Sequence, residues 1–347
     1  MNKKYKIGIC GHLDRTVSGE NGQTMKTISV SDELKKIFGE SNVLEVSTHN
    51  WKKRPFKLFF EILNMSRLCS NIVMFPDSNG VKVILPLFLF LQKKHKNNLL
   101  YSVQGAWLPD LLKKKKLLKK RVNSLKAVLV ETNTLASQLN TIGVKNCVVF
   151  KNFKHLETVD DYLIDSYEEG IIKFCYFSRV TPEKGVLDAI AAVKKLSDSG
   201  VNLVFDIFGP CSSDFEKTLV ESIKGDRNIF YKGQIDAYES VSTIKNYHYQ
   251  LFPTRYATEG IPGSIIDSFF SGVPVIASKW NSCLDVLTVS YNSFIYELGD
   301  VDGLYRLLLK VSGLPYKDYL VLRKNCLRSA EEYKPSVCIK TILNLLI

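Results

Sequence analysis

The sequence predicts an α/β protein made of two doubly wound domains, each built on a parallel sheet. Short apolar runs alternate with helix-like segments throughout both halves of the chain. The length of 347 residues exceeds one ordinary core and fits two domains. Near residues 148–170 the strand pattern gives way to a polar, acidic connection, which marks the expected boundary between the domains.

Four strand–helix pairs are predicted in the first half and a similar series in the second. The first half reads YKIGIC then TMKTISVSDELKKIF, NIVMFP then a helix from about Gly80, NLLYSVQ then LPDLLKKKKLLKKRV, and LKAVLVE then NTLASQLNTIG. The second half reads IKFCYFS then VLDAIAAVKKLSDSG, NLVFDIFG then SDFEKTLVESIKG, NIFYKG then AYESVSTIKNY, and HYQLFPT then GSIIDSFFSG and VPVIAS. In two such domains, ligands are expected in a gap at the carboxyl ends of the strands.

Composition favours a globular protein in a reducing compartment. Hydrophobic residues make up 45% and charged residues 24% of the chain. The eight cysteines are scattered and form no CxxC pair, which is typical of small buried side chains rather than a disulfide framework. The first residues lead directly into a short strand without a long apolar stretch, so we expect no signal peptide and a cytoplasmic location.

The positive charge is confined to the first half. Residues 1–150 contain 25 Lys and Arg against 10 Asp and Glu, whereas residues 151–347 contain 22 against 25. The basic residues cluster at 52–57, 93–96 and 111–121. A solvated helix face and attraction to an anionic membrane surface both explain such clusters. Nucleic-acid binding is disfavoured because the clusters lack interleaved aromatic residues. The apolar run 81–92 is too short to span a membrane and predicts a buried helix or an interfacial element.

Three loops at predicted strand ends carry residues suited to an anionic or polyhydroxylated ligand. Gly19 and Gly22 precede the first helix, where free N–H groups suit a phosphate. An ordinary glycine turn would give the same sequence pattern. In RVTPEKG, Arg179 and Lys184 follow a strand, either as a diphosphate clamp or as two surface cations. The third loop, TEGIPGSIID, holds two acids.

The two acids in the third loop are Glu259 and Asp267. We expect a helix to begin at Gly263 or Ser264 and to carry Asp267 about one turn in. In one interpretation Glu259 complements the helix dipole and Asp267 lies on a solvated face. In the other, both acids face a ligand, which accounts for the crowding of glycine and proline between them.

The segments RVTPEKGVLDAIAAV and TEGIPGSIIDSFFSGVPVIAS resemble glycosyltransferase family 4, a group of retaining enzymes. The segments NGQTMKT, YSVQGAWLPDLL and KNF resemble a subgroup that assembles bacterial surface polysaccharides. The resemblance covers nearly the whole chain. It implies the GT-B fold, in which two Rossmann-like domains face a central cleft. The acceptor-binding domain would span 1–152, the nucleotide-sugar domain 153–332, and a helix at about 333–347 is expected to pack back on the first domain.

The resemblance also implies roles for individual residues. Arg179 and Lys184 would hold the diphosphate and stabilise the leaving group, and Glu259 would bind a hydroxyl of the donor sugar. Asp267 matches the acid usually placed on the ribose. Backbone groups of the remaining implied donor-binding residues would line the sugar, phosphate and base; these residues are Gly22, Gly209, Gly233, Gly260, Ile261, Pro262, Gly263 and Ser264.

The sequence departs from the family pattern at two positions. Asp267 stands where glutamate is commoner, and the side chain of aspartate is one methylene shorter than that of glutamate. Gln104, in SVQG, stands where many members carry a catalytically placed histidine. Glutamine donates a hydrogen bond to a sugar hydroxyl but does not shuttle protons near neutral pH. The source of acceptor deprotonation is therefore open, and a front-face mechanism in which the departing phosphate takes the proton fits this pattern.

Other candidate residues favour structural roles. Asp300 and Asp302 form a D-x-D triplet just before a helix, which predicts capping rather than metal binding. The five histidines show no metal-ligand spacing, so we expect no metal site and no cofactor besides the donor. His12 follows the first strand and could approach the substrate.

Together these features predict a retaining hexosyl or N-acetylhexosaminyl transferase that uses a nucleotide diphosphate sugar, with UDP the expected nucleotide. The expected acceptor is a polyprenyl-diphosphate-linked saccharide of O-antigen or capsule synthesis, met at the inner face of the cytoplasmic membrane. A sugar-nucleotide epimerase of related fold and a non-catalytic nucleotide-sugar-binding module are the alternatives. The sugar and the linkage are not predicted.

Overall fold

The computed structural model describes residues 5–15, 22–160 and 170–346, and it confirms the predicted α/β fold with two parallel sheets. The chain divides into two compact units. The first comprises Met1–His155 together with Tyr333–Ile347, and the second comprises Leu156–Glu332. The last segment of the chain thus belongs to the first unit, and the second unit is inserted between two parts of the first.

The first unit is built on a six-stranded parallel sheet in the order β2-β1-β3-β4-β5-β6. Its strands are β1 (Tyr5–Gly11), β2 (Val43–Ser47), β3 (Cys69–Met74), β4 (Asn98–Ser102), β5 (Ala127–Val130) and β6 (Cys147–Val149). The helices between them are α1 (Gly22–Phe38), α2 (Pro55–Leu68), α3 (Val81–His95), α4 (Leu108–Lys114), α5 (Lys116–Asn123) and α6 (Asn133–Thr141).

Two hydrophobic clusters cover the two faces of this first sheet. Because side chains alternate along a strand, Ile72 packs into one cluster and Val73 into the other. Helices α2, α3 and α5 pack against the first cluster. Helix α1 packs against the second cluster, which also takes Cys338, Ile339 and Ile342 from the end of the chain.

The second unit repeats this architecture with a parallel sheet in the order β12-β11-β10-β7-β8-β9. Its strands are β7 (Ile172–Phe177), β8 (Leu203–Phe208), β9 (Ile229–Gly233), β10 (Tyr249–Phe252), β11 (Val275–Ser278) and β12 (Ser293–Tyr296). Its helices are α7 (Val186–Asp198), α8 (Ser213–Ile223), α9 (Ser240–Ile244), α10 (Gly263–Phe270), α11 (Val301–Ser312) and α12 (Tyr316–Ala330).

Two helical segments differ from the sequence-based expectation, and a third forms the expected helix. The lysine-rich stretch forms two short helices, α4 and α5, because the backbone leaves the helical conformation at Lys115. The expected helix at 333–347 forms two short pieces, α13 (Pro335–Cys338) and α14 (Lys340–Leu343). The apolar run 81–92 lies within α3, and its length is typical of a packed helix. In the described part of the chain, no helix is both long and apolar enough to cross a membrane.

Candidate functional site

In the second unit the strand order reverses between β7 and β10. From β7 the chain continues outward to β8 and then β9, whereas β10 lies on the other side of β7. The crevice beyond the carboxyl ends of strands at such a reversal is where doubly wound sheets bind ligands. The two loops that leave this point carry RVTPEKG, after β7, and TRYATEGIPG, after β10.

Backbone geometry at Gly185 brings these two loops together. A short 3-10 turn spans Pro182–Lys184 and ends at Gly185, whose φ is +71°. A Cβ atom at this position would overlap the carbonyl oxygen of Pro253, the residue that follows β10. Only glycine permits both the left-handed conformation and this close approach. The turn is therefore held against the start of the opposite loop.

Lys184 and Glu259 form a direct ion pair at this place. Nζ of Lys184 donates to Oε1 of Glu259, and the two side chains are only 12% and 11% exposed. The hydroxyl of Thr254 donates to the same oxygen at 3.2 Å. Nζ of Lys184 also lies 5.8 Å from the ring centre of Phe252. Interactions between charges strengthen where water is excluded, so this pair can act strongly on a bound ligand.

The backbone around Glu259 is fixed by its own hydrogen bonds. Its N–H donates to the carbonyl oxygen of Tyr256 at 3.3 Å, and its carbonyl oxygen accepts from the hydroxyl of Ser282 at 2.9 Å. The N–H of Asn281 donates to the carbonyl oxygen of Ala257 at 3.0 Å. The carboxylate is consequently presented from a braced loop rather than from a free one.

Arg179 lies at the carboxyl end of β7 with an exposed side chain. Its carbonyl oxygen accepts a hydrogen bond of 2.7 Å from the hydroxyl of Tyr176. Burial raises the pKa of that Tyr176 hydroxyl, so it remains a proton donor. Arg179 is thus anchored through its backbone, and its guanidinium is left accessible.

Gly209 and Gly233 line the same edge of the sheet, at the ends of β8 and β9. The N–H of Gly209 donates to the carbonyl oxygen of Gly233 at 2.9 Å. Gly209 has a φ of +136°, and a Cβ atom there would overlap the carbonyl oxygen of Ser178. The fold therefore brings three residues that are distant in the sequence to one edge of the second sheet: Arg179, Gly209 and Gly233. Whether they contact a nucleotide stays a prediction.

The predicted helix after Glu259 is confirmed, since α10 begins at Gly263. Gly260, Pro262 and Ser264 are partly exposed, whereas Ile261 is buried. Asp267 lies one turn into α10 and is only 1% exposed. The interpretation that places Asp267 on a solvated face is therefore wrong. Every residue from Ile265 to Phe270 is buried, so this helix has no solvated face there.

A second ion pair, which was not predicted from the sequence, joins the loop after β10 to the first turn of α7. Nε and Nη2 of Arg255 donate to the two carboxylate oxygens of Asp188, each at 2.7 Å. Asp188 lies in the first turn of α7 and is 7% exposed. Hydrogen bonding to this carboxylate raises the pKa of Arg255. The only sequence signal was a lone arginine directly after a predicted strand.

The predicted residues of the first unit lie at the carboxyl edge of its own sheet. Gly22 is the first residue of α1, and Gln104 follows β4. The side-chain amide of Gln104 donates to the backbone carbonyl oxygen of Gln23 at 3.4 Å, and the backbone carbonyl oxygen of Gln104 accepts from the indole of Trp107 at 2.8 Å. Gly19 lies outside the described residues.

The capping prediction for the D-x-D triplet is confirmed. Asp300 accepts a hydrogen bond of 2.8 Å from the N–H of Gly303 at the start of α11, and Asp302 pairs with Lys195 at the surface. Across residues 5–15, 22–160 and 170–346, no group of three histidine, cysteine or acidic side chains has the geometry to hold a metal ion.

Comparisons with known proteins agree with this architecture. Residues 165–326 match the family described as glycosyl transferases group 1. A segment of 131 residues is 27% identical to a 2-deoxystreptamine N-acetyl-D-glucosaminyltransferase from Niallia circulans and covers 37% of this chain. This alignment spans about a third (33%) of the length of that relative.

Two solved structures share the fold over almost their whole length. The Anabaena protein HepE, solved in complex with UDP and glucose, superposes with a TM-score of 0.75 at 12% identity and 98% coverage of both chains. A lipopolysaccharide outer core galactosyltransferase in its apo form superposes with a TM-score of 0.68 at 17% identity, again over 98% of both chains. Residues 165–326, somewhat less than half of the chain, therefore resemble the glycosyl transferases group 1 family, and the two six-stranded parallel sheets agree with the GT-B fold.

Proposed function

We propose that this protein is a retaining glycosyltransferase that moves a sugar from a UDP-sugar to a lipid-linked saccharide. The observation that carries the proposal is the ion pair of Lys184 and Glu259 at the strand-order reversal of the second unit. A cation and an acid side by side suit a ligand that presents phosphate oxygens next to sugar hydroxyls. UDP and glucose bound to HepE, which shares the fold, support a UDP-sugar as the donor.

Each residue of the proposed donor site has a separate role in binding or catalysis. Lys184 and the accessible Arg179 stabilise the diphosphate as negative charge develops on it during departure. Glu259 accepts a hydrogen bond from a hydroxyl of the donor sugar, with its orientation set by Thr254 and Lys184. The first N–H groups of α10 are available to a phosphate or hydroxyl oxygen, as at other helix starts. Charge stabilisation by these side chains needs no metal ion, so we expect transfer to persist after chelation with EDTA.

The proposed acceptor is a polyprenyl-diphosphate-linked saccharide of bacterial surface polysaccharide synthesis, reached at the inner face of the cytoplasmic membrane. The fold shared with a lipopolysaccharide galactosyltransferase supports this class of acceptor. The first unit also presents a surface suited to an anionic membrane. Helices α2, α3 and α5 bury one side in the same core cluster, so their other sides point outward from one layer.

This outward layer combines aromatic and cationic side chains, and we name it the aromatic–cationic face. Phe56 and Phe60 on α2 are 81% and 64% exposed, and Phe90 on α3 is 71% exposed. Lysines occur in or next to the helices of this layer, at 52–57, 93–96 and 113–120. Exposed aromatic rings next to lysines are typical of proteins that bind the interface of anionic membranes.

The donor proposal is tested by nucleotide binding and by turnover of defined donors. We expect UDP and one or more of UDP-glucose, UDP-galactose and UDP-N-acetylglucosamine to raise the melting temperature, and UDP to be released from that donor. Glu259→Gln and Lys184→Ala should lower the rate by about 100-fold or more, because each removes a charge that acts on the transition state. Glu297→Gln is the matched control, since Glu297 pairs with Lys279 at the surface of the same unit.

Two outcomes would contradict the proposal. No stabilisation by any of these nucleotides would exclude the donor site. Stabilisation without UDP release, in the presence of saccharide acceptors, would instead favour the non-catalytic binding module.

A further inference from the structure

A chain of polar side chains at the carboxyl edge of the first sheet has no part in the donor chemistry. Its centre is a pair of histidines, His12 directly after β1 and His49 shortly after β2. Nε2 of His12 lies 2.8 Å from Nδ1 of His49, and the ring centres are 4.8 Å apart. The strand order of this sheet reverses between β1 and β3, so His12 lies where a doubly wound sheet binds ligands.

Four residues form a series of hydrogen bonds in which each residue donates to the next, in the order Asn50, His49, His12 and Thr24. The amide nitrogen of Asn50 lies 2.5 Å from Nε2 of His49, and an amide N–H can only donate there. Nε2 of His49 is therefore the acceptor, and its Nδ1 carries the proton. That proton is shared with Nε2 of His12, whose own Nδ1–H then donates to the buried hydroxyl of Thr24 at 2.5 Å.

Charges around the pair support this arrangement. Oδ2 of Asp14 lies 3.5 Å from Nδ1 of His49, which favours a proton on that nitrogen and leaves Nε2 as the acceptor. Burial first, and then the neighbouring His49, lower the pKa of His12, while Asp14 and Asp77 oppose that shift. His12 is accordingly neutral at physiological pH, as the chain of donors requires.

The loop that carries His49 is preorganised. The backbone N–H of His49 donates to the hydroxyl of Ser47 at 3.2 Å, and the backbone carbonyl oxygen of His49 accepts from Nε of Arg54 at 3.1 Å. The N–H of Thr48 donates to the carbonyl oxygen of Gly11 at 2.8 Å, which ties this loop to the end of β1. The side chain of His49 is 39% exposed, so part of the ring is accessible to solvent.

We propose that His12 and His49 form a binding site for a hydroxyl group of the acceptor saccharide. The hydroxyl donates to Nε2 of His49 in place of the exposed amide of Asn50, and His12 holds His49 in the accepting tautomer. A chain of aligned hydrogen bonds strengthens each member, so the hydroxyl is held more firmly than by a single exposed histidine. The proposal deepens the proposed function and rests on the acceptor being a saccharide.

The first experiment follows the two rings directly in the full-length chain. Two-bond ¹H–¹⁵N NMR spectra of the protein labelled at histidine are recorded with octyl β-glucoside and octyl N-acetyl-β-glucosaminide as probes, below micelle formation. We expect the Nε2 resonance of His49 to shift with probe concentration.

His155 provides the matched control. It is a partly exposed histidine of the same unit whose Nε2 lies 2.9 Å from Glu33, and it has no part in the proposed site. His155→Gln should bind the probes as the unsubstituted protein does, whereas His49→Gln should bind them about tenfold more weakly, as expected for one lost hydrogen bond. If the resonances of His49 do not move, or move no more than those of His155, the proposal is wrong.

A second experiment separates this proposal from the donor proposal. With the octyl glycosides as acceptors, His49→Gln should raise the acceptor KM about tenfold and leave the KM for the UDP-sugar and the stabilisation by UDP unchanged. Transfer with an unchanged acceptor KM in His49→Gln would refute the hydroxyl site and leave the transferase intact. Absence of UDP binding, with His49 still responding to the probes, would refute the donor proposal alone.

Discussion

Asp188 illustrates how a single buried carboxylate organises the loops of the candidate site. It accepts two hydrogen bonds from Arg255 and is almost inaccessible, whereas the side chain of Arg255 is 53% exposed. The pair joins the first turn of α7 to the loop after β10, beside the contact of Lys184 with Glu259. Bidentate arginine–carboxylate geometry gives directional support that a lysine could not replace.

Asp188→Asn should lower the free energy of unfolding by about 1–3 kcal/mol. The amide accepts only one of the two hydrogen bonds and turns an N–H₂ group towards the guanidinium, and the partial exposure of Arg255 limits the loss. Urea unfolding of the full chain measures the change.

Asp302→Asn is the control for Asp188→Asn, because Asp302 pairs with Lys195 at the surface and should cost less than about 1 kcal/mol. Equal losses for the two variants would show that the Arg255 pair contributes no special stability.

At the scale of elements, the passage from the 3-10 turn at Pro182–Lys184 into α7 depends on Gly185. This residue combines a positive φ with close approach to Pro253. The approach places Lys184 within reach of Glu259, which lies 75 residues further along the chain. One glycine thus connects backbone geometry to the position of a charged side chain.

Gly185→Ala should destabilise the second unit by more than about 2 kcal/mol, because the methyl group meets a backbone oxygen in addition to the strain of a positive φ. Gly200 is the matched control. It has a φ of +88° with open space around it, so Gly200→Ala should cost only the conformational term of about 1–2 kcal/mol. Thermal unfolding of both variants checks the difference, and a similar loss in each would contradict the close contact.

The sequence predicted the central strands because they are buried and apolar along their length. It did not predict β2 and β12, which are edge strands of the two sheets. Edge strands are covered on fewer sides, and β2 accordingly contains only two buried residues, so its apolar pattern is weaker. One of the two interpretations of Asp267, a solvated face of α10, is wrong because tertiary packing buries every residue from Ile265 to Phe270.

The contacts within the candidate site were less predictable than the residues themselves. The loops that hold Lys184 and Glu259 were identified from residue types at strand ends. Their direct contact depends on β10 pairing with β7, and periodicity carries no information on strand order. The same holds for His12 and His49, which meet because β2 pairs with β1. Non-local pairing therefore sets the limit of what this sequence predicts.

At the scale of the whole molecule, the positive charge and the three most exposed phenylalanines among the described residues lie in the first unit. Residues 1–150 carry an excess of 15 positive charges. The aromatic–cationic face combines this charge with Phe56, Phe60 and Phe90, so under the membrane proposal electrostatic attraction and apolar insertion would act at one surface.

Phe56→Ser/Phe60→Ser should lower binding to anionic liposomes by about tenfold or more, because each ring adds apolar area to the bound state. Flotation with phosphatidylglycerol vesicles measures this. Leu284→Ser removes an equally exposed apolar residue from the second unit and should have no effect. Binding of the unsubstituted chain should weaken as salt screens the lysines. Equal flotation with neutral and anionic vesicles, at low and moderate salt, would contradict the membrane proposal.

The return of residues 333–346 to the first unit has a consequence for biosynthesis. Cys338, Ile339 and Ile342 cover one face of the first sheet, yet they are synthesised after all of Leu156–Glu332. At ordinary elongation rates this delay is on the order of ten to thirty seconds. During that time the second unit can fold on the ribosome while the face that takes Cys338, Ile339 and Ile342 still lacks its cover. Ribosome-bound nascent chains that end shortly before residue 333 should therefore bind chaperones, and the first unit should provide the binding surface.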